Sequence, residues 1–288
     1  MGSRELTHKE IIVDYDDGGS VIWVSMKSKS RQCFTLTMLL EMLDLFDTLD
    51  EFGSPYPGVY GDVKYLVLKS ENPEIFNSGG DLDYFSELVS TEDWERLLEY
   101  GIGCIDLVYW GLSGGKREIT TIAYVTGSAL GGGFEAALSC NYIFAEKQAV
   151  FAFPEALFGF FPGMGGYALL ERFTGANEAD RAFATGKRYT AEELNKFGAI
   201  YTLTEQGECK QAIDDFINAR MSNKNTHWAL QKIKQQMQNI SYATLKHSIY
   251  LWVDTAKKLT KRDLRIMHIL TKRQRRKVTS PAPELVET

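Results

Sequence analysis

Three glycine-rich turns and two glutamates hold the chemistry that this 288-residue sequence can be asked to perform. The turns are NSGGDL (Asn77 to Leu82), ALGGGFE (Ala129 to Glu135) and FPGMGG (Phe161 to Gly166). Each stands where a helix can begin. Glycine there lets the backbone approach a ligand closely, and the unbonded N–H groups of a first helical turn point outward along a favourable dipole. Two such turns facing each other make an oxyanion hole; taken singly, each is also an ordinary strand-to-helix turn. Glu135 closes the second turn amid small apolar residues, and Glu155 follows Pro154 at the end of an apolar run. Two carboxyl groups at one pocket divide acid and base roles when burial and mutual repulsion separate their pKa values. The plainer readings are a first-turn glutamate exposed to solvent and a strand-end charge in water.

Other chemistries find little support. No GK[ST] follows any of the turns and no GxGxxG is present, which argues against phosphate cradles of those two kinds. His8, His227, His247 and His268 show no metal-ligand spacing, and no GxSxG elbow or cysteine–histidine signature argues for a nucleophilic triad. Cys33, Cys104, Cys140 and Cys209 form no CxxC pair, so reduced thiols are expected and no metal site. Catalysis, if present, falls to carboxylates and backbone amides.

The surrounding pattern predicts an α/β architecture. IIVDYDD and SVIWVSMKS read as a hairpin joined through Gly18 and Gly19, and TLTMLLEMLDLFDTLDEF has helical spacing. KYLVLKS has the continuous apolar character of a strand covered on both faces. A helical region from about Thr91 to Leu112, the strand ITTIAYVTG, a short helix through Glu135 and the paired strands NYIFAEK and AVFAFPE follow. Three short helices then lead to the β-rich IYTLTE, and from Cys209 onward the sequence reads as helix until TSPAPELVET, a tail expected to be disordered from about residue 279. This gives a core over residues 1–207 and a helical region over 208–288.

Composition, with 44% hydrophobic and 24% charged residues, is that of a globular protein. The net charge of −6 is uneven, because ten Lys or Arg fall between Lys257 and Lys277 against the single acid Asp263. That distribution argues against a nucleic-acid-binding body and leaves a basic face for an acidic partner, or simply a solvated helix end. The polar start MGSRELTHKE and the absence of an apolar run of about 18 residues lead to the expectation of a cytoplasmic protein with no membrane span.

In order and spacing, NSGGDL, VTGSALGGGFEAALSCNYIFAE and FPEALFGFFPGMGG resemble the crotonase, or enoyl-CoA hydratase/isomerase, superfamily over roughly Ile11 to Thr204. The resemblance implies a spiral of ββα units with a C-terminal α-helical region, assembled as a homotrimer or hexamer. It implies that backbone amides of Gly80 and Gly132 hold a thioester oxygen, with Glu135 and Glu155 as the catalytic pair. GGGFEAALSC, FPGMGGY and WVDTA (Trp252 to Ala256) further resemble the diffusible signal factor synthases of quorum sensing. That likeness implies dehydration of a 3-hydroxyacyl-acyl carrier protein to a cis-2-enoyl thioester, followed by hydrolysis to the free acid. It also implies an apolar pocket at Met164, Trp252 and Leu270, no cofactor beyond the carrier thioester, and contact with a sensor or regulator protein. SRQCFTL in place of an Asn-Ala pair, and the loop FGSPYPGVYGDV, depart from ordinary hydratases and weaken the case for coenzyme A as the carrier. Hydration of enoyl-CoA in fatty acid degradation and a non-catalytic binding role are the alternatives.

Overall fold

The computed structural model describes residues 3–16, 20–27, 31–237 and 240–275. The chain opens with three strands, β1 (Ser3–Thr7), β2 (Ile11–Asp16) and β3 (Val21–Met26), paired antiparallel in sequence. Helix α1 (Leu36–Phe52) follows, with the Thr35 hydroxyl accepting from the Met38 amide at its start and Gly53, at φ 66°, closing its end. Three strand–strand–helix turns come next. The first is β4 (Tyr65–Ser70), β5 (Ile75–Asn77) and the helices α2 (Leu82–Ser90) and α3 (Trp94–Ser113). The second is β6 (Thr120–Val125), β7 (Ser128–Leu130) and α4 (Gly132–Ser139). The third is β8 (Tyr142–Glu146), β9 (Val150–Ala152), a 3-10 turn at Pro154–Phe158, and α5 (Gly166–Thr174). After α6 (Ala176–Thr185), β10 (Arg188–Thr190), α7 (Ala191–Lys196) and β11 (Thr202–Thr204), the chain is helical through α8 (Cys209–Ser222), α9 (Lys224–Met237), α10 (Tyr242–Ala256) and α11 (Lys261–Arg275).

Each turn of the spiral gives its first strand to a seven-stranded sheet, ordered β1-β2-β3-β4-β6-β8-β11, and its second to a four-stranded sheet, ordered β10-β9-β7-β5. NYIFAEK and AVFAFPE are therefore not partners of each other. β8 already has β6 on one side and β11 on the other, both parallel, so no edge is left for β9, which pairs with β7 and β10 instead. β1, β5, β7 and β10 are strands that the sequence pattern did not predict.

The large sheet is covered on both faces, which explains why its inner strands read as unbroken apolar runs. Along β4, Leu66 and Leu68 join the main core with α1 and α3, whereas Tyr65 and Val67 face Cys209, Ile213 and Phe216 of α8. His227 is a packing residue on that second face: it stacks on Tyr65, and burial lowers its pKa to about 4. All four cysteines are buried and unpaired.

The helices after α9 return to the front of the molecule. α10 lies on α3, where Ile249 fills the space over Gly101, and α11 lies on α2, with the Ser86 hydroxyl 3.2 Å from the Met267 sulfur. Among the described residues no helix is long and apolar enough to cross a membrane.

A tight joint lies between α4 and the end of β5. A Cβ on Gly133 would stand 2.2 Å from the Asn77 carbonyl oxygen, a backbone atom with nowhere to go. Gly133→Ala is therefore expected to destabilise the fold by ~1–3 kcal/mol through overpacking, read as a lowered thermal midpoint. An unchanged midpoint would mean that α4 can slide away from β5.

Candidate active site

Glu135 lies in the first turn of α4 with 1% of its surface exposed, so the solvent-exposed reading fails. Every residue of this helix is buried, because α4 runs between the two sheets and α5. One carboxylate oxygen accepts the Gly166 amide at 2.8 Å, which ties the second glycine-rich turn to the third. Burial and the nearby Glu155 charge push the Glu135 carboxyl well above the usual carboxylate range, against the opposing pull of the Gly166 and Met164 amides.

Helix α4 starts without a side-chain cap, since its N-cap is Gly131 at φ 52°, ψ −125°. Gly132 is the first helical residue, so its N–H has no carbonyl one turn behind it to bond. The first glycine-rich turn sits directly against this one. A Cβ on Gly132 would be 3.5 Å from the Gly80 nitrogen, and one on Gly79 would be 3.0 Å from the Gly132 nitrogen. Asn77 shapes that turn by accepting the Gly79 amide at 2.8 Å, and Asp81 caps α2 immediately after it through the Asp83 and Tyr84 amides.

Glu155 is not at a strand end. β9 stops at Ala152, and Glu155 lies on the 3-10 turn that follows, placed over Gly131 so closely that a Cβ there would meet its Oε1 at 2.3 Å. Only glycine, with its freedom at positive φ and its missing side chain, fits between them. The other oxygen, Oε2, is out of contact with solvent and has no hydrogen-bond partner among the described residues. Burial raises this carboxyl to about 8, only partly offset by a backbone hydrogen bond. Two buried carboxyl groups that repel each other ionise in separate steps, and between those steps the pair holds one proton.

These groups line one cavity of about 450 Å³. Gly80, Gly132, Glu135, Glu155, Met164 and Trp252 all contribute to its wall. Leu270 belongs to α11, but its side chain lies outside the described residues, as does the tail from residue 276 onward. One arm of the cavity is apolar: Phe85, Phe160 and Trp252 meet with ring centroids 5.1–5.3 Å apart, and Met267 closes over them from α11. The other arm runs along the four-stranded sheet past Ile75, Ser128 and Arg188. Among the described residues no group of three metal-ligating side chains is present.

Phe85, Phe160, Met267 and Tyr100 were missed by the motif reading. In sequence they are apolar or aromatic residues at helical or loop positions, and nothing in their local spacing separates a pocket wall from an ordinary core. Only the fold brings FPGMGG beside Trp252. In the structure a Cβ on Gly163 would fall 2.3 Å from that indole.

Comparison with known proteins agrees with this architecture. The sequence model of the enoyl-CoA hydratase/isomerase family matches residues 17–277. The chain is 37% identical over 102 residues to the peroxisomal bifunctional enzyme of Danio rerio, covering 35% of this chain and 14% of that one. It is 40% identical over 160 residues to the fatty acid oxidation complex subunit alpha of Idiomarina loihiensis, covering 55% and 21% respectively. The matched region thus spans well under a third of these longer relatives. Among solved structures, DspI of Pseudomonas aeruginosa superposes with a TM-score of 0.62 at 24% identity, over 92% of this chain and 96% of that one. The enoyl-CoA hydratase of Bacillus anthracis superposes with a TM-score of 0.64 at 19% identity, over 92% and 97%. At these identities the structures speak for the fold.

The raised Glu155 carboxyl has a consequence for stability. Its folded pKa of about 8 lies above the value of about 4.3 in an unfolded chain. Between these values the folded state holds more protons, so this group's contribution is complete below about pH 4.3 and is lost as pH rises through 8. Glu155→Gln keeps the shape and removes the ionisation. The variant's melting temperature is expected to gain on the parent by roughly 5 °C between pH 5 and pH 9. An equal gap at both pH values would mean that the carboxyl is in contact with water.

Proposed function

Since the chain belongs to the enoyl-CoA hydratase/isomerase family, we propose that it dehydrates a 3-hydroxyacyl thioester to the 2-enoyl thioester and then hydrolyses the thioester, releasing a 2-unsaturated fatty acid. The observation that carries this reading is the pair of buried carboxyl groups, Glu135 and Glu155, beside two apposed glycine amides at the neck of an apolar cavity.

Elimination of water needs a base for the α-proton and an acid for the departing hydroxyl. Between its two ionisations a carboxyl pair holds one proton and can supply both. As the α-proton leaves, negative charge gathers on the thioester oxygen, where the Gly80 and Gly132 amides are placed to receive it. The same amides suit the tetrahedral oxyanion of hydrolysis, for which the pair, now acting on water, provides the base. One site thus serves two successive reactions. The apolar arm takes the acyl chain, each buried methylene contributing about 0.8 kcal/mol, and Met164 and Trp252 stand on its walls. The likeness of WVDTA and the glycine motifs to signal factor synthases supports a cis product and an acyl carrier protein as donor, to which the basic run Lys257–Lys277 offers complementary charge.

The similarity to subunits of fatty acid oxidation complexes favours a second reading, hydration of enoyl-CoA without release of acid. Mass spectrometry of products from 3-hydroxydodecanoyl-acyl carrier protein, run beside the coenzyme A thioester, separates the two. Free 2-enoic acid is expected. Glu135→Ala and Glu155→Ala should each lower turnover by about 10²-fold or more, with circular dichroism unchanged. Reversible hydration with no free acid would establish the hydratase reading, and normal turnover by either folded variant would end the two-carboxyl mechanism.

Trp252→Ala removes the ring that meets Phe85 and Phe160. It is expected to shift preference toward longer or branched acyl chains in a competition assay. An unchanged profile would return Trp252 to the core.

A further inference from the structure

We propose that Tyr100 is a positioning residue for the thioester-oxygen site, its hydroxyl holding the Asp81 amide and with it the peptide plane that follows Gly80. This rests on the reading of Gly80 as a donor to the thioester oxygen.

Two peptide planes meet at the Gly80 Cα, and a residue without a side chain lets them turn freely against each other. The plane before it carries the Gly79 carbonyl at one end and the Gly80 N–H at the other, pointing in opposite directions because the peptide is trans. The Gly79 carbonyl accepts the Phe34 amide at 2.8 Å, so the Gly80 N–H is turned away from Phe34. The plane after Gly80 carries the Asp81 N–H, which donates to the Tyr100 hydroxyl at 3.1 Å. That hydroxyl in turn donates to the Phe34 carbonyl at 2.7 Å. Phe34 therefore holds both planes, one directly and one through Tyr100.

The position of the phenol suits the task. Tyr100 projects from α3, is 5% exposed, and packs edge-on against Tyr84 at 5.6 Å, so the ring is fixed independently of its hydroxyl. A Cβ on Gly80 would stand 3.4 Å from the hydroxyl oxygen. Burial keeps the phenol protonated far above its ordinary pKa, so it remains a donor to Phe34 at any working pH. An oxyanion donor acts through its direction as much as its presence, and misplacement by about 1 Å can cost 10²-fold in rate.

The test uses the S-dodecanoyl thioester of N-acetylcysteamine, labelled with carbon-13 at the carbonyl, and difference infrared spectroscopy of the bound probe. It is run beside steady-state kinetics on the 3-hydroxyacyl substrate. In the parent the carbonyl stretch is expected to fall on binding. Tyr100→Phe keeps the ring and should return the stretch at least halfway to its free value. kcat should drop about 10- to 100-fold while KM stays within about threefold. Replacement of Tyr100 by 3-fluorotyrosine, which keeps the hydroxyl, should retain both properties. Val108→Ala, a cavity two turns along the same helix, controls for general loosening and should lower the melting temperature with the stretch preserved. The proposal is overturned if Tyr100→Phe keeps the parent stretch and kcat, if the fluorotyrosine protein loses them, or if Val108→Ala loses the stretch equally. A parent protein that binds the probe without moving its carbonyl stretch, or does not bind it, overturns the Gly80 reading and this proposal together, whereas the first three outcomes leave the Gly80 reading standing.

Discussion

The contact on which the site depends is backbone against backbone: the end of β5 and its glycine turn pressed against the start of α4. A Cβ on Gly79 would stand 2.9 Å from the Leu130 carbonyl oxygen and one on Gly133 2.2 Å from that of Asn77, distances that leave no volume for a methyl group at either. Such an approach brings two sets of peptide dipoles to one point, and only glycine permits it. It also sets what must surround it. A helix that starts without a cap needs its first amides answered by something, and here they open onto a cavity in place of solvent.

Burial then governs the carboxyl groups. Because α4 is enclosed along its whole length, Glu135 reaches the outside only through the cavity and takes a partner from the protein, the Gly166 amide. Glu155 is held over Gly131 with one oxygen that has no partner among the described residues. A group left this way costs stability, and the fold retains it at the neck of the cavity, where a substrate can complete it. The same low-polarity surroundings that raise both pKa values also strengthen any hydrogen bond to an oxyanion formed there.

The front of the cavity is supplied from far along the chain. Trp252 and Met267 arrive on α10 and α11, which dock through Ile249 over Gly101 and through Met267 beside Ser86. Part of the cavity's apolar wall is thus supplied by helices outside the spiral that carries the glutamates. The four-stranded sheet sets Arg188 of β10 beside β9, which runs on into the 3-10 turn that carries Glu155.

By itself the sequence determined the alternation of strand, glycine turn and helix, the two-sided burial of the inner strands, and the identity of the turns where backbone could meet ligand. These are local properties, carried by hydrophobic period and by residues whose backbone freedom is distinctive. Tertiary structure decided which turns face each other, that Glu135 is buried while sitting where an exposed first-turn glutamate would be equally natural, and that Glu155 rides a 3-10 turn over glycine. It also separated β8 from β9, since pairing depends on which sheet edges remain free, and edge occupancy is set by distant strands such as β11. Tyr100 was illegible for the same reason. An aromatic residue in a helix has the same spacing whether its hydroxyl is idle or joins residues 34 and 81, and only the folded chain brings those together.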